Sequence, residues 1–191
     1  MNAAVKLSSP ATQEFWEIPA LFEDEHLLAL DKPSGLLTAP DPDNAERPSL
    51  MKLLHDGIAA GKPWAASRNL TYLNQPHRLD FETTGVLLLA KTKPAFMALA
   101  DLFSAEKPAR NHVALVWGNP PDKNFRVDSR IAPHPLKAGQ MCVNPDDGKK
   151  AHTDFEVLEQ FSDWCLLRCQ PLTERPHQIR IHPKHVGFPI V

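Results

Sequence analysis

Asp80 is the residue whose surroundings first point to chemistry. It closes the polar run His77-Arg78-Leu79-Asp80, just ahead of Thr83-Thr84-Gly85 and the apolar stretch from Val86 to Ala90. A carboxylate can serve as nucleophile or base once it is held still. The same residue type in the same setting has a plainer use, because Asp before Thr-Gly commonly bonds to nearby backbone groups. Arg78 reads equally as a surface charge, and His77 as a residue that orders the loop by hydrogen bonding. A second cluster runs from Thr173 to His182 and holds Arg175, His177, Gln178, Arg180 and His182. His177, His182 and His185 are ligand types for Zn²⁺. Their i, i+5, i+8 spacing does not put them on one helical face, and no Asp or Glu lies among them, so no metal is expected. No G-x-x-x-x-G-K-[ST] loop occurs, which leaves nucleotide hydrolysis without support.

The elements that must position these residues are legible in part. Leu27 to Asp31 fits a short strand, closed by a turn at Lys32-Pro33-Ser34-Gly35. Three prolines with Asp and Asn between 40 and 48 form a loop, and Leu50, Leu53 and Leu54 give a weak helical pattern. Val86 to Ala90 is read as a strand buried on both faces, whose role is to hold Asp80 still. The spacing of Phe96, Met97, Leu99, Ala100 and Phe103 predicts a helix over 93–103, with Pro94 in its first turn. Strands are predicted at 112–117, 153–158 and 164–169. Residues 119–150, rich in Pro, Asp and Lys, are read as a long irregular excursion.

Composition bounds the class. A chain of 191 residues, 42% hydrophobic and 23% charged, suits one domain with a real core. Its 19 prolines, roughly twice the usual share of about 5%, imply many short elements joined by loops. A net charge of −2 and a pI near 6.5 carry no global basic signature, so any nucleic-acid surface must be a local patch. Cys142, Cys165 and Cys169 are an odd set without C-x-x-C spacing, which argues for a reducing compartment and core positions. The first twenty residues hold no basic start followed by an apolar stretch, and no run there is long enough to span a bilayer. A cytoplasmic, monomeric protein is expected, with residues 1–20 an arm of little structure and 21–191 the working domain.

The stretch His77 to Lys91, H-R-L-D-F-E-T-T-G-V-L-L-L-A-K, resembles the signature of the RluA family of pseudouridine synthases, H-R-L-D-x-x-T-S-G followed by a Leu-rich strand. Thr84 stands where the family has Ser. Thr173 to His182, with Gly187, Pro189 and Ile190 after it, is similar to the family's T-G-R-x-H-Q-I-R-V-H and the G-x-P-I that follows. The turn Lys32 to Gly35 matches K-P-x-G. The resemblance covers nearly everything after residue 25, and the chain has no room for the S4 RNA-binding domain of many relatives.

That resemblance implies an α+β fold with a mixed, largely antiparallel sheet, flanking helices and a central active-site cleft. It implies an RNA uridine isomerase acting on tRNA or rRNA without a cofactor. Asp80 becomes the nucleophile, Arg180 its partner, and His112 the base-facing residue in the strand where relatives carry Tyr. His77, Arg78, Thr83, Lys32 and Gln178 become substrate contacts, with Lys32, Arg110, Lys149 and Lys150 as phosphate contacts. Pro183 falls within a helix of the family, where a proline costs about 3 kcal/mol or more, so a break near His182 is expected. The chain stops at Val191, inside the family's P-I-x-G-D segment, and is expected to be truncated at its C-terminus. The alternative is a non-catalytic RNA-binding relative that kept the fold and lost turnover.

Overall fold

The computed structural model describes residues 3–44 and 46–191. The chain, which composition suggested was one domain, divides into two compact units, Met1–Ala105 and Glu106–Val191. Among the described residues, every pairing of named strands is antiparallel, and one isolated bridge, Leu37 with Ser49, is parallel.

The first unit opens with a hairpin, β1 (Val5–Ser9) and β2 (Glu14–Ile18), where sequence reading expected an unstructured arm. Ser, Pro and Ala are frequent there, with Pro10 and Ala11 in the turn, where Gln13 takes φ 57°. The strands themselves alternate: Val5 and Leu7 point inward with Ile18 opposite Val5, and all three are core residues. Period-2 patterning over five residues is enough to bury one face of a hairpin once a partner surface exists. β3 (Ala20–Glu23), β4 (Leu27–Lys32) and β5 (Gly85–Ala90) form a second sheet in the order β3-β4-β5. β5 is an edge strand. Leu87, Leu89 and Ala90 are fully buried while Val86 is 57% exposed, so the expectation of two buried faces fails at its first turn-proximal residue. Successive strand residues face opposite sides of a sheet, and the side that carries Val86 is open to solvent there.

Helices α1 (Leu50–Ala59), α2 (Pro63–Ala66) and α3 (Lys93–Ser104) complete this unit. Ser49 caps α1 by accepting from the Lys52 N–H, and Thr92 caps α3 by accepting from the Ala95 N–H, with Pro94 in the first turn. α1 buries Leu50, Met51, Leu53, Leu54 and Gly57. The Trp64 indole packs against Gly57, so a Cβ there would meet Cζ2 at 2.4 Å. Alanine in a helix interior normally gains about 1 kcal/mol over glycine, whereas overpacking a core costs about 1–3 kcal/mol. Gly57→Ala is therefore expected to lower the urea midpoint at unchanged m-value; a raised midpoint would show that the indole yields freely.

The second unit is a five-stranded sheet in the order β6-β10-β9-β7-β8, with one helix. Its strands are β6 (His112–Trp117), β7 (Asn124–Pro133), β8 (Met141–Val143), β9 (Lys149–Gln160) and β10 (Trp164–Pro171), and the helix is α4 (Gln178–His185). The predicted irregular excursion over 119–150 contains all of β7 and β8 and the start of β9. Its signal was present in Phe125, Val127 and Ile131, which alternate with polar neighbours, but Pro, Asp and Lys in the flanking turns outweighed it. Phe125 stacks on Phe155 directly across the ladder. α4 continues through Pro183 rather than breaking at His182. Pro183 forfeits one N–H in an eight-residue helix whose end is closed by Val186 and Phe188 N–H groups donating to the His182 and Pro183 carbonyls. Cys165 and Cys169 are buried core residues, and burial pushes the Cys169 thiol up to about 12. No helix among the described residues is long and apolar enough to cross a membrane.

Candidate active site

Asp80 is half-buried on the connection between α2 and β5, and its neighbours in sequence are fastened on both sides. After it, the Phe81 carbonyl accepts from the Gly35 N–H at 2.9 Å and from Lys32 Nζ at 3.4 Å. Gly35 takes φ 75° to reach it, a conformation that favours glycine and accounts for the last position of Lys-Pro-Ser-Gly. Before it, Leu79 is bonded through both its N–H and its C=O to the Thr38 hydroxyl. The Thr83 N–H closes a turn onto the Asp80 carbonyl at 3.1 Å, and Gly85, at φ 119°, passes the chain into β5. The Arg47 guanidinium lies 4.5 Å over the Phe81 ring. His77 accepts from the Leu88 N–H at 3.0 Å and stacks on Phe103 at 4.8 Å. An accepting Nε2 puts the proton of neutral His77 on Nδ1. The imidazole thus covers an edge N–H of β5 and draws the loop against that strand.

Lys32 was expected to meet RNA phosphate, and the fold gives it other work. Its side chain is fully buried, with Nζ donating to the Pro33 carbonyl at 2.8 Å as well as to Phe81. Desolvation pushes its pKa down to about 8, against the attraction of Asp80 and Glu82. A buried ammonium cannot reach a phosphate outside, but it fastens the loop and places positive charge near Asp80. Arg78 and Thr84 are exposed, and Thr83 is half-buried.

In the second unit, Arg180 projects from α4 and is half-buried; His112 begins β6, opposite Cys169 of β10, and is also half-buried. α4 is held by a buried polar chain with a defined direction. The His152 N–H donates to Thr173 Oγ1, whose own proton goes to Gln178 Oε1 at 3.0 Å; the Arg175 N–H donates to the same oxygen. Gln178 Nε2 donates to the His152 carbonyl and to Thr153 Oγ1, each at 2.9 Å. Thr153 Oγ1 in turn hydrogen-bonds His182 Nδ1 at 2.8 Å. All four hydrogen-bonding positions of Gln178 are thereby used inside the protein. It anchors the helix that carries Arg180 and has nothing left for a substrate, contrary to the sequence expectation. Arg110, proposed for phosphate, is ion-paired to Glu174 at 2.6 Å with its side chain 16% exposed, whereas Lys149 and Lys150 are exposed on β9.

A family described as RNA pseudouridylate synthase matches residues 26–185. The chain belongs to that family, in its RluA branch. It is 34% identical over 180 residues to the dual-specificity RNA pseudouridine synthase RluA of Salmonella typhi, covering 94% of this chain and 76% of that protein. It is 38% identical over 170 residues to the ribosomal large subunit pseudouridine synthase D of Nitrosomonas europaea, covering 89% of this chain. The chain spans about half the length of that relative, 47%. The solved structure of human RNA pseudouridylate synthase domain containing 1 superposes with a TM-score of 0.72 at 23% identity, over 92% of this chain and 67% of that one, a likeness of fold.

Within the pseudouridylate synthase frame, the residues that motif reading missed are Thr38, Thr153 and Arg47. None sits in a signature; each acts through a main-chain or ring contact that only folding creates. His182 carries a testable consequence. Burial first, and then His185, push its pKa down to about 4 from the ordinary 6.5. Between those values the unfolded chain binds the proton and the folded one does not, so stability is full above pH 6.5 and is lost as pH falls through 4. The loss amounts to about 3 kcal/mol from this group alone. Urea unfolding at pH 7, 5 and 4 should show it, and His182→Gln should flatten the acid decline; an unchanged decline would place the titrating group elsewhere.

Proposed function

We propose that this protein isomerises a uridine in RNA to pseudouridine, with Asp80 as nucleophile. The reaction breaks the N1–C1′ bond, turns the uracil and joins C5 to C1′; C5 gives up a proton and N1 gains one. No group is lost and no electrons are exchanged, so the chemistry asks for no cofactor. The reading rests above all on one observation: a carboxylate within the family-matched segment whose neighbours on either side are tied to main chain or to a buried side chain. Fixing the attacking atom before substrate arrives is how enzymes convert positioning into rate.

Arg180 is the proposed partner of Asp80. A guanidinium beside a carboxylate keeps it ionised and sets its direction. His112 is the base-facing residue, and Arg78, exposed two residues before Asp80, enters the space left by the extruded nucleotide. Extrusion costs a few kcal/mol and is smallest in loops and unpaired segments, which favours structured RNAs of the tRNA or rRNA class. Lys149 and Lys150 supply phosphate contacts and therefore salt-dependent affinity. We infer action as a monomer in the cytoplasm. The test is incubation with total tRNA and rRNA from a host lacking its own uridine isomerases, followed by chemical labelling and primer extension. A new pseudouridine stop supports the reading; its absence at stoichiometric protein overturns it.

A further inference from the structure

We propose that Thr38 is a positioning residue for Asp80, an inference that rests on the isomerase reading above. The Thr38 side chain lies in the β4–α1 connection, outside the signature motifs, and is 3% exposed. Its hydroxyl donates to the Leu79 carbonyl at 2.8 Å and accepts from the Leu79 N–H at 3.2 Å. One side chain thus satisfies both backbone groups of the residue immediately before the nucleophile. Two bonds to one residue fix the peptide planes on either side of it, and with the Asp80 carbonyl held by the Thr83 N–H at 3.1 Å they set the direction in which the Asp80 side chain leaves the main chain.

The clamp is itself anchored. The Leu50 N–H donates to the Leu37 carbonyl at 2.7 Å and the Met51 N–H to the Thr38 carbonyl at 3.0 Å. These first-turn N–H groups of α1 have no partner inside the helix; here they hold the segment that holds Leu79. A continuous set of bonds therefore runs from the N-terminus of α1 through Thr38 to Leu79 and Asp80. On the far side of Asp80, Gly35 of the same connection binds Phe81. Residues 35 and 38 thus grip the chain on both sides of the carboxylate, and Thr38 is the only one of the two that does so through a side chain.

Valine at 38 keeps the volume and the branching but removes both bonds, whereas serine keeps both bonds. The experiment measures single-turnover conversion with protein in excess over total tRNA and rRNA from the isomerase-deficient host, alongside filter-binding affinity and thermal midpoint. The variants are Thr38→Val, Thr38→Ser and Asp80→Ala. Thr38→Val is expected to slow conversion on the order of 10²-fold, the scale of a misplaced reacting group, with RNA affinity within a few-fold, and Thr38→Ser is expected to restore the rate. Should the valine variant not fold, Thr38→Cys takes its place. It retains a weak donor and acceptor, and its rate must fall below that of the serine variant while its affinity holds. Conversion by Thr38→Val at the wild-type rate, or equal rates for the cysteine and serine variants, overturns the inference alone. A wild-type protein that converts no uridine, or an Asp80→Ala protein that does, overturns the isomerase reading and this inference with it.

Discussion

Asp80→Ala is expected to abolish conversion of uridine to pseudouridine while RNA affinity stays within a few-fold of wild type. Removing the nucleophile of an enzyme lowers turnover on the order of 10⁴-fold or more, because the other groups of the site act on a bond that no longer forms. Affinity is separable, since it comes chiefly from cations meeting phosphates, and Lys149 and Lys150 lie in the second unit, far along the chain from Asp80. The main-chain bonds around position 80 use the groups of Leu79, Phe81 and Thr83 and the carbonyl of residue 80 itself, none of which the substitution removes. The loop should therefore keep its course in the variant. One electrostatic consequence follows as well. The Asp80 charge supports the buried Lys32 ammonium, so its loss shifts that lysine further towards the neutral form. Turnover retained in the purified Asp80→Ala protein would remove the proposed mechanism altogether.

Arg180→Ala is expected to lower the single-turnover rate by about 10²–10³-fold, the range for loss of one preorganised charged donor, and Arg180→Lys is expected to restore little of it. An ammonium is a point charge without the planar fork that orients a carboxylate. The variants should fold, because α4 is fastened through Gln178 and His182 and not through the Arg180 side chain alone. A second readout separates an electrostatic role from a merely structural one. On the proposed pairing with Asp80, the acid limb of kcat/KM is expected to move upward in Arg180→Ala. A full rate in Arg180→Lys, or an acid limb that stays in place in Arg180→Ala, would show that Asp80 does not depend on this residue.

Local sequence determined a good deal about this protein. The strands at 27–31, 112–117 and 164–169 and the helix opened by Pro94 all follow from apolar spacing and end signals, which act between residues close in the chain and so survive in any fold that uses them. The residues proposed to carry the chemistry are equally visible, since Asp80, Arg180 and His112 sit in motifs quoted from the chain alone, and those motifs lead to the family that residues 26–185 match. Composition was a poorer guide where turns outweighed strands, at 1–20 and 119–150, because Pro, Ser and Asp in a turn do not prevent the few alternating residues beside it from finding a sheet.

Only the tertiary structure decided which polar residues face the solvent and which serve the protein. Lys32 and Gln178 carry side chains suited to RNA, yet burial gives Lys32 the carbonyls of Pro33 and Phe81 and gives Gln178 a closed set of four partners. Thr38 carries no signal in sequence at all: its importance comes from Leu79, forty-one residues away. The physical reason is that a buried polar group must find its partner wherever the fold brings one, and the distance along the chain to that partner leaves no local pattern to read.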